Sequence, residues 1–95
     1  MKLLTDLEIE KRLIDFPDWD HHDNALTTEF EFDNFKNCMS AIFRIAFECE
    51  KLNHHPDWSN TYNLLKINLY THDAGGVTDL DFKLAKSIEE IIEVE

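Results

Sequence analysis

Apolar residues recur along the chain with two periods, and the switches between them mark the elements. Thr5 and Glu8 form a capping-box pair, with Leu4 and Ile9 at the staple positions. They predict a helix over 6–15, with Leu13 on its apolar side, that stops before Phe16-Pro17. Pro17-Asp18-Trp19 reads as a turn into a short extended piece, and Asp23-Asn24 as a second turn. Leu26, Thr28, Phe30 and Phe32 then alternate with Thr27, Glu29 and Glu31. This period of two predicts a half-buried strand.

The period changes again after Asp33, a residue suited to cap a helix. Phe35, Met39, Ile42, Ala46 and Cys49 recur at helical spacing, and Phe43, Ile45 and Phe47 widen the arc. An arc that wide suggests contact with both the core and a partner subunit; a buried helix is the alternative. Pro56 places the helix end near Asn53 or His54. Residues 58–71 read as two strands with a turn near Asn63. In the second, Leu65, Ile67, Leu69 and Thr71 face one way, and Lys66, Asn68, Tyr70 and, if the strand extends, His72 the other. After Gly75-Gly76, Thr78 and Asp81 form another capping box, with Val77 and Phe82 as its staple. Leu80, Leu84, Ile88, Ile91 and Ile92 make the stripe of a last helix. The expected class is α+β: a four-stranded antiparallel sheet with three helices packed on one face.

Composition narrows the classes. Ninety-five residues make one domain, 1–95, with a modest core. Hydrophobic residues are 43% and aromatics 12%, too many for a disordered chain. Asp+Glu is 20 against Lys+Arg 9, a formal charge of −11. That balance argues against nucleic acid and anionic membranes as partners. No apolar run approaches the roughly 18 to 20 residues of a membrane helix. The opening Met1-Lys2-Leu3-Leu4-Thr5-Asp6 turns acidic too soon for a secretory signal. Cys38 and Cys49 fall in one helix about 16 Å apart, too far for a disulfide. A reduced, cytoplasmic protein is the expectation.

The chemistry concentrates in Glu50-Lys51-Leu52-Asn53-His54-His55-Pro56-Asp57-Trp58. Glu50 and His54 are four apart, and His54 stands at the negative end of the helix dipole. Both neighbours favour its protonated form. Pro56 forces His55 out of the helix and into a different environment. Two imidazoles in unlike environments are what a paired general acid and base require. His72 stands at a strand end before the glycine turn, a position that topology allows to approach them.

The pattern Glu50-x3-His54-His55-Pro56-x5-Tyr62-x9-His72-x8-Asp81 resembles that of the pterin-4a-carbinolamine dehydratases. So do the segments around it, and Trp19 matches that family's early tryptophan. The resemblance spans essentially the whole chain. It implies loss of water from 4a-hydroxytetrahydrobiopterin to give quinonoid dihydrobiopterin, in tetrahydrobiopterin recycling, with no metal or cofactor. It implies His54, His55 and His72 as the catalytic set: His54 and His72 the acid/base pair, His55 orienting the substrate. Glu50 would position His54, Trp19 and Asn53 would border the pterin ring, and Asp81 would support the site. It implies self-association as a homodimer or homotetramer, and a functional link to an aromatic amino-acid hydroxylase. The chain departs from the family at Asp18, often Gly, and at Leu80, often Arg. His21 and His22 have no counterpart there.

Plainer roles exist for each feature. Solvated or capping imidazoles account for a histidine trio in general, and three histidines with Glu50 suit zinc. The chain lacks His-Glu-x-x-His and any cysteine cluster. His21 and His22 read as surface residues, Trp58 as packing, and the acidic tail from Glu89 to Glu95 as a solvated helix face. A non-catalytic interaction protein, similar to a transcription-factor dimerisation cofactor, and a binder of another pterin are the rival functions.

Overall fold

In the computed structural model, which describes residues 1–94, the chain forms one four-stranded antiparallel sheet and three α-helices. In chain order these are α1 (Asp6–Leu13), β1 (Asp20–His22), β2 (Ala25–Glu31), α2 (Phe35–Leu52), β3 (Asp57–Thr61), β4 (Leu64–Leu69) and α3 (Asp79–Glu93). A single 3₁₀ turn, His72–Ala74, precedes α3. The strand order is β1-β2-β4-β3.

The register explains which face is buried. Leu26 pairs with Leu69, Thr28 with Ile67 and Phe30 with Leu65. Directly opposed residues share a face. The apolar members of these pairs meet Ile9 of α1, Ala41 and Ile45 of α2, and Leu84 and Ile88 of α3 in one core. Leu26, Ile45, Ile67, Leu69, Leu84 and Ile88 are fully buried, each worth about 1.5–3 kcal/mol of transfer free energy. The other face carries the alternating polar set. Asp20 pairs with Thr27, Thr27 with Asn68, and Asn68 with Asp57, one row across all four strands.

Several boundaries differ from the sequence expectation. The first helix ends at Leu13, and Asp15 and Phe16 continue as turns bonded to Arg12 and Leu13 carbonyls. Asn34, not Asp33, caps α2: its side chain accepts from the Asn37 N–H. Both residues suit the role, and the extended backbone falls at Asn34. The last strand stops at Leu69, with Thr71 in an isolated bridge to Gly76. His72 therefore starts a 3₁₀ turn, closed by Gly75 at φ 77°, a conformation that costs glycine nothing. On α2 the arc divides: Ile45 is buried, while Phe43 and Phe47 are 66% and 72% exposed. Of the α3 stripe, Leu80 is only half-buried. Glu95, the end of the expected acidic tail, lies outside the described residues.

Candidate active site

The site begins with how α2 ends. Asn53 adopts the left-handed conformation, φ 50° and ψ 45°. Its N–H bonds the Glu50 carbonyl and the His54 N–H bonds that of Cys49, the Schellman pattern. Asparagine tolerates this geometry better than most residues. Pro56 then holds His55 extended, and Asp57 opens β3. The reversal turns His54 inward and leaves His55 outside.

His54 is 8% exposed, and its Nε2 lies 2.5 Å from Oδ1 of Asp81, which has no exposed surface. Asp81 is the third residue of α3, where its other oxygen accepts the Thr78 N–H at 2.9 Å. That same Oδ2 accepts the Thr71 hydroxyl at 2.9 Å. With its hydrogen so used, Thr71 receives the Thr78 hydroxyl at 2.7 Å. Donors thus converge on a fixed carboxylate at the positive end of a helix. A carboxylate at Nε2 holds the neutral ring with its proton there, leaving the Nδ1 lone pair unshared.

His55 bonds Glu50 instead, Nε2 to Oε2 at 2.6 Å, with both side chains largely exposed. Glu50 was expected beneath His54. The four-residue rule assumes continuous helix, and the left-handed Asn53 swings His54 out of that line. An exposed pair of this kind contributes about 0–1 kcal/mol, so it orients His55 more than it stabilises the fold.

Asn53, His54, His55, Pro56, Tyr70 and His72 line one cleft of about 450 Å³. That volume is in the range of small-molecule sites. His72 reaches it from the 3₁₀ turn, and Leu80 closes it from α3. Among the described residues, no three His, Cys, Asp or Glu side chains converge as a metal-binding group.

Residues 2–91 match the family described as Pterin 4 alpha carbinolamine dehydratase. The chain belongs to this family. A protein of Christiangramia forsetii provisionally named a pterin-4-alpha-carbinolamine dehydratase is 47% identical over 93 residues, covering 98% of this chain and 96% of its own. One of Prochlorococcus marinus (strain MIT 9515), named the same way, is 44% identical over 91 residues, covering 96% and 95%. A crystal structure from Brucella melitensis, described as a transcriptional coactivator/pterin dehydratase, superposes with a TM-score of 0.92 at 36% identity, covering 95% of this chain and 98% of that one.

Within this carbinolamine dehydratase fold, the cleft gathers His54, His55, His72 and Asn53, with Asp81 beneath and Glu50 beside it. Trp19 is not brought there. It is 3% exposed in the core, edge-on to Phe30, and its indole N–H donates to Glu89 Oε1 at 2.7 Å. Its burial under α3 explains why it does not reach the ring site expected for it. Tyr62 is likewise remote, an exposed residue of the β3–β4 turn at φ 51°. Sequence reasoning missed Thr71 as a partner of Asp81. The signal was a hydroxyl ending an otherwise apolar alternation, Leu65, Ile67, Leu69, Thr71.

Proposed function

We propose that this protein removes water from 4a-hydroxytetrahydrobiopterin, and that His54 and His72 carry the two proton transfers. The observation behind the reading is the contrast within one cleft. One imidazole is fixed on a buried carboxylate with Nδ1 unshared; another, that of His72, is exposed and lines the same cleft. In the reaction the C4a–O bond breaks as the N5 electrons form the C4a=N5 bond. The departing hydroxyl takes a proton from an acid and leaves as water. A base takes the N5 proton. His54, through Nδ1, is the base and protonated His72 is the acid, each worth roughly 10² to 10⁴ in rate. His55, tethered by Glu50, orients the ring, and Asn53 borders it. Asp81 positions His54. One domain over 1–95 suffices, with no metal and no cofactor. The quinonoid product fits a cytoplasmic role in returning pterin to an aromatic amino-acid hydroxylase.

The purified protein, treated with chelator, should accelerate this dehydration, and His54→Ala with His72→Ala should abolish the acceleration. Normal turnover by the double variant overturns the roles. Tight pterin binding with no dehydration by the unaltered protein favours a binder of another pterin.

A second reading draws on α2. Phe43 and Phe47 are exposed there, and Phe47 lines a groove to α3 with Val94. Such a patch suits a protein partner. Self-association as a dimer or tetramer covers it most simply. The coactivator description of the Brucella protein keeps an interaction role in view.

A further inference from the structure

A second cleft, of about 530 Å³, opens on the helix-free face of the sheet beside the histidine cleft. The pairing register builds it. Thr27, Asn68 and Asp57 are opposed across β2, β4 and β3, and form its floor with Tyr70. The two-residue Asp23-Asn24 turn, with φ of 49° and 64°, supplies the far wall with His22. Asp57, Tyr70 and His72 line both clefts, so the two share a wall.

We propose that this second cleft receives the substituent on C6 of the pterin, and selects a short neutral polyhydroxylated chain over an anionic one. The proposal rests on the pterin reading of the histidine cleft. C6 is bonded to N5, one of the two reacting positions. A substituent there starts beside the imidazoles in this reading, and His72, which lines both clefts, marks the way into the second. The cleft offers hydroxyl-binding groups in waiting: among the described residues, no hydrogen bond uses the side chain of Asn24, Thr27 or Asn68. Apart from the imidazoles of His22 and His72, its charges are of one sign. Asp23 and Asp57 line it, His22 is drawn to Asp23 at 3.1 Å, and no described Lys or Arg lines either cleft. A phosphate or glutamyl substituent would meet carboxylates with no lysine or arginine to offset them.

The test compares 4a-hydroxytetrahydrobiopterin with its 6-methyl analogue on the full chain. Asn68→Ala should lower kcat/KM for the polyol substrate about fivefold relative to the methyl substrate, the effect of one neutral hydrogen bond. Thr27→Val gives a second variant with the same expected direction. Equilibrium binding supplies a readout independent of turnover: 7,8-dihydroneopterin should bind at least about tenfold more tightly than its monophosphate at low salt. An unchanged substrate ratio in both variants with dehydration intact, or equal binding of the phosphorylated ligand, overturns this inference alone. Failure of the unaltered protein to dehydrate either substrate overturns the pterin reading and this inference with it.

Discussion

Replacing Asp81 with asparagine should invert the proton on His54 while leaving the fold standing. Two donors, the Thr71 hydroxyl and the Thr78 N–H, point at Oδ2 of Asp81. An amide nitrogen placed there would meet them donor to donor, so the amide oxygen must take that position. The NH₂ group then occupies the Oδ1 position, 2.5 Å from His54 Nε2 in the native protein. His54 can bond it only as an acceptor, which moves the ring proton to Nδ1 and removes the lone pair proposed to take the N5 proton. A base held in the wrong tautomer loses roughly 10² to 10⁴ in rate. The structural cost is smaller. The bonds from Thr71 and Thr78 survive, and one charge-assisted bond becomes neutral, about 1–2 kcal/mol. A domain with about 5–15 kcal/mol of stability remains folded. Dehydration kinetics with Asp81→Asn, beside ¹⁵N NMR of the His54 ring, read both halves. A folded variant with undiminished turnover and the proton on Nδ1 would falsify the role given to His54.

Three further outcomes follow from other contacts. Burial holds the Glu89 carboxyl above its usual range, against the opposing effect of the Trp19 hydrogen bond. Its charged form is therefore a penalty above that raised value, and the penalty disappears as pH falls through it. Glu89→Gln should thus match or exceed the native stability at pH 7, with the difference shrinking in acid. Glu89→Ala orphans the buried indole N–H and should cost about 1–3 kcal/mol in urea unfolding; equal losses in the two variants would contradict this. At the left-handed Asn53, a β-branched residue is strained, so Asn53→Val should lose about 1–2 kcal/mol while Asn53→Gly does not. Light scattering should give a mass above the 11.2 kDa of one chain, and a clean monomer would remove the partner expected on α2.

The local grammar of the chain was legible where one short segment decides the outcome. The alternation from Leu26 became β2, which stops at Glu31, one residue short of Phe32, and the Thr78–Asp81 capping box stands as read. Asp81 could serve both cap and site because its two oxygens divide the work. Pro56 separated the two histidines as expected. What escaped was set by geometry beyond the helix. Glu50 went to His55 because one left-handed residue ended the periodicity that placed it under His54. Trp19 went to the core because Glu89, far along the chain, offered its N–H a partner. The second cleft was equally hidden, since its floor exists only once β2, β3 and β4 find their register.

The claim on which the rest stands is that a pterin ring lies against Nδ1 of His54 and the imidazole of His72. A crystal structure with a bound 7,8-dihydropterin tests it directly. The account predicts the ring between His54 and His72, with C4a and N5 facing these two imidazoles and the Asp81 contact intact. A ring seated outside this cleft, or in it with C4a and N5 turned away from both, would contradict it.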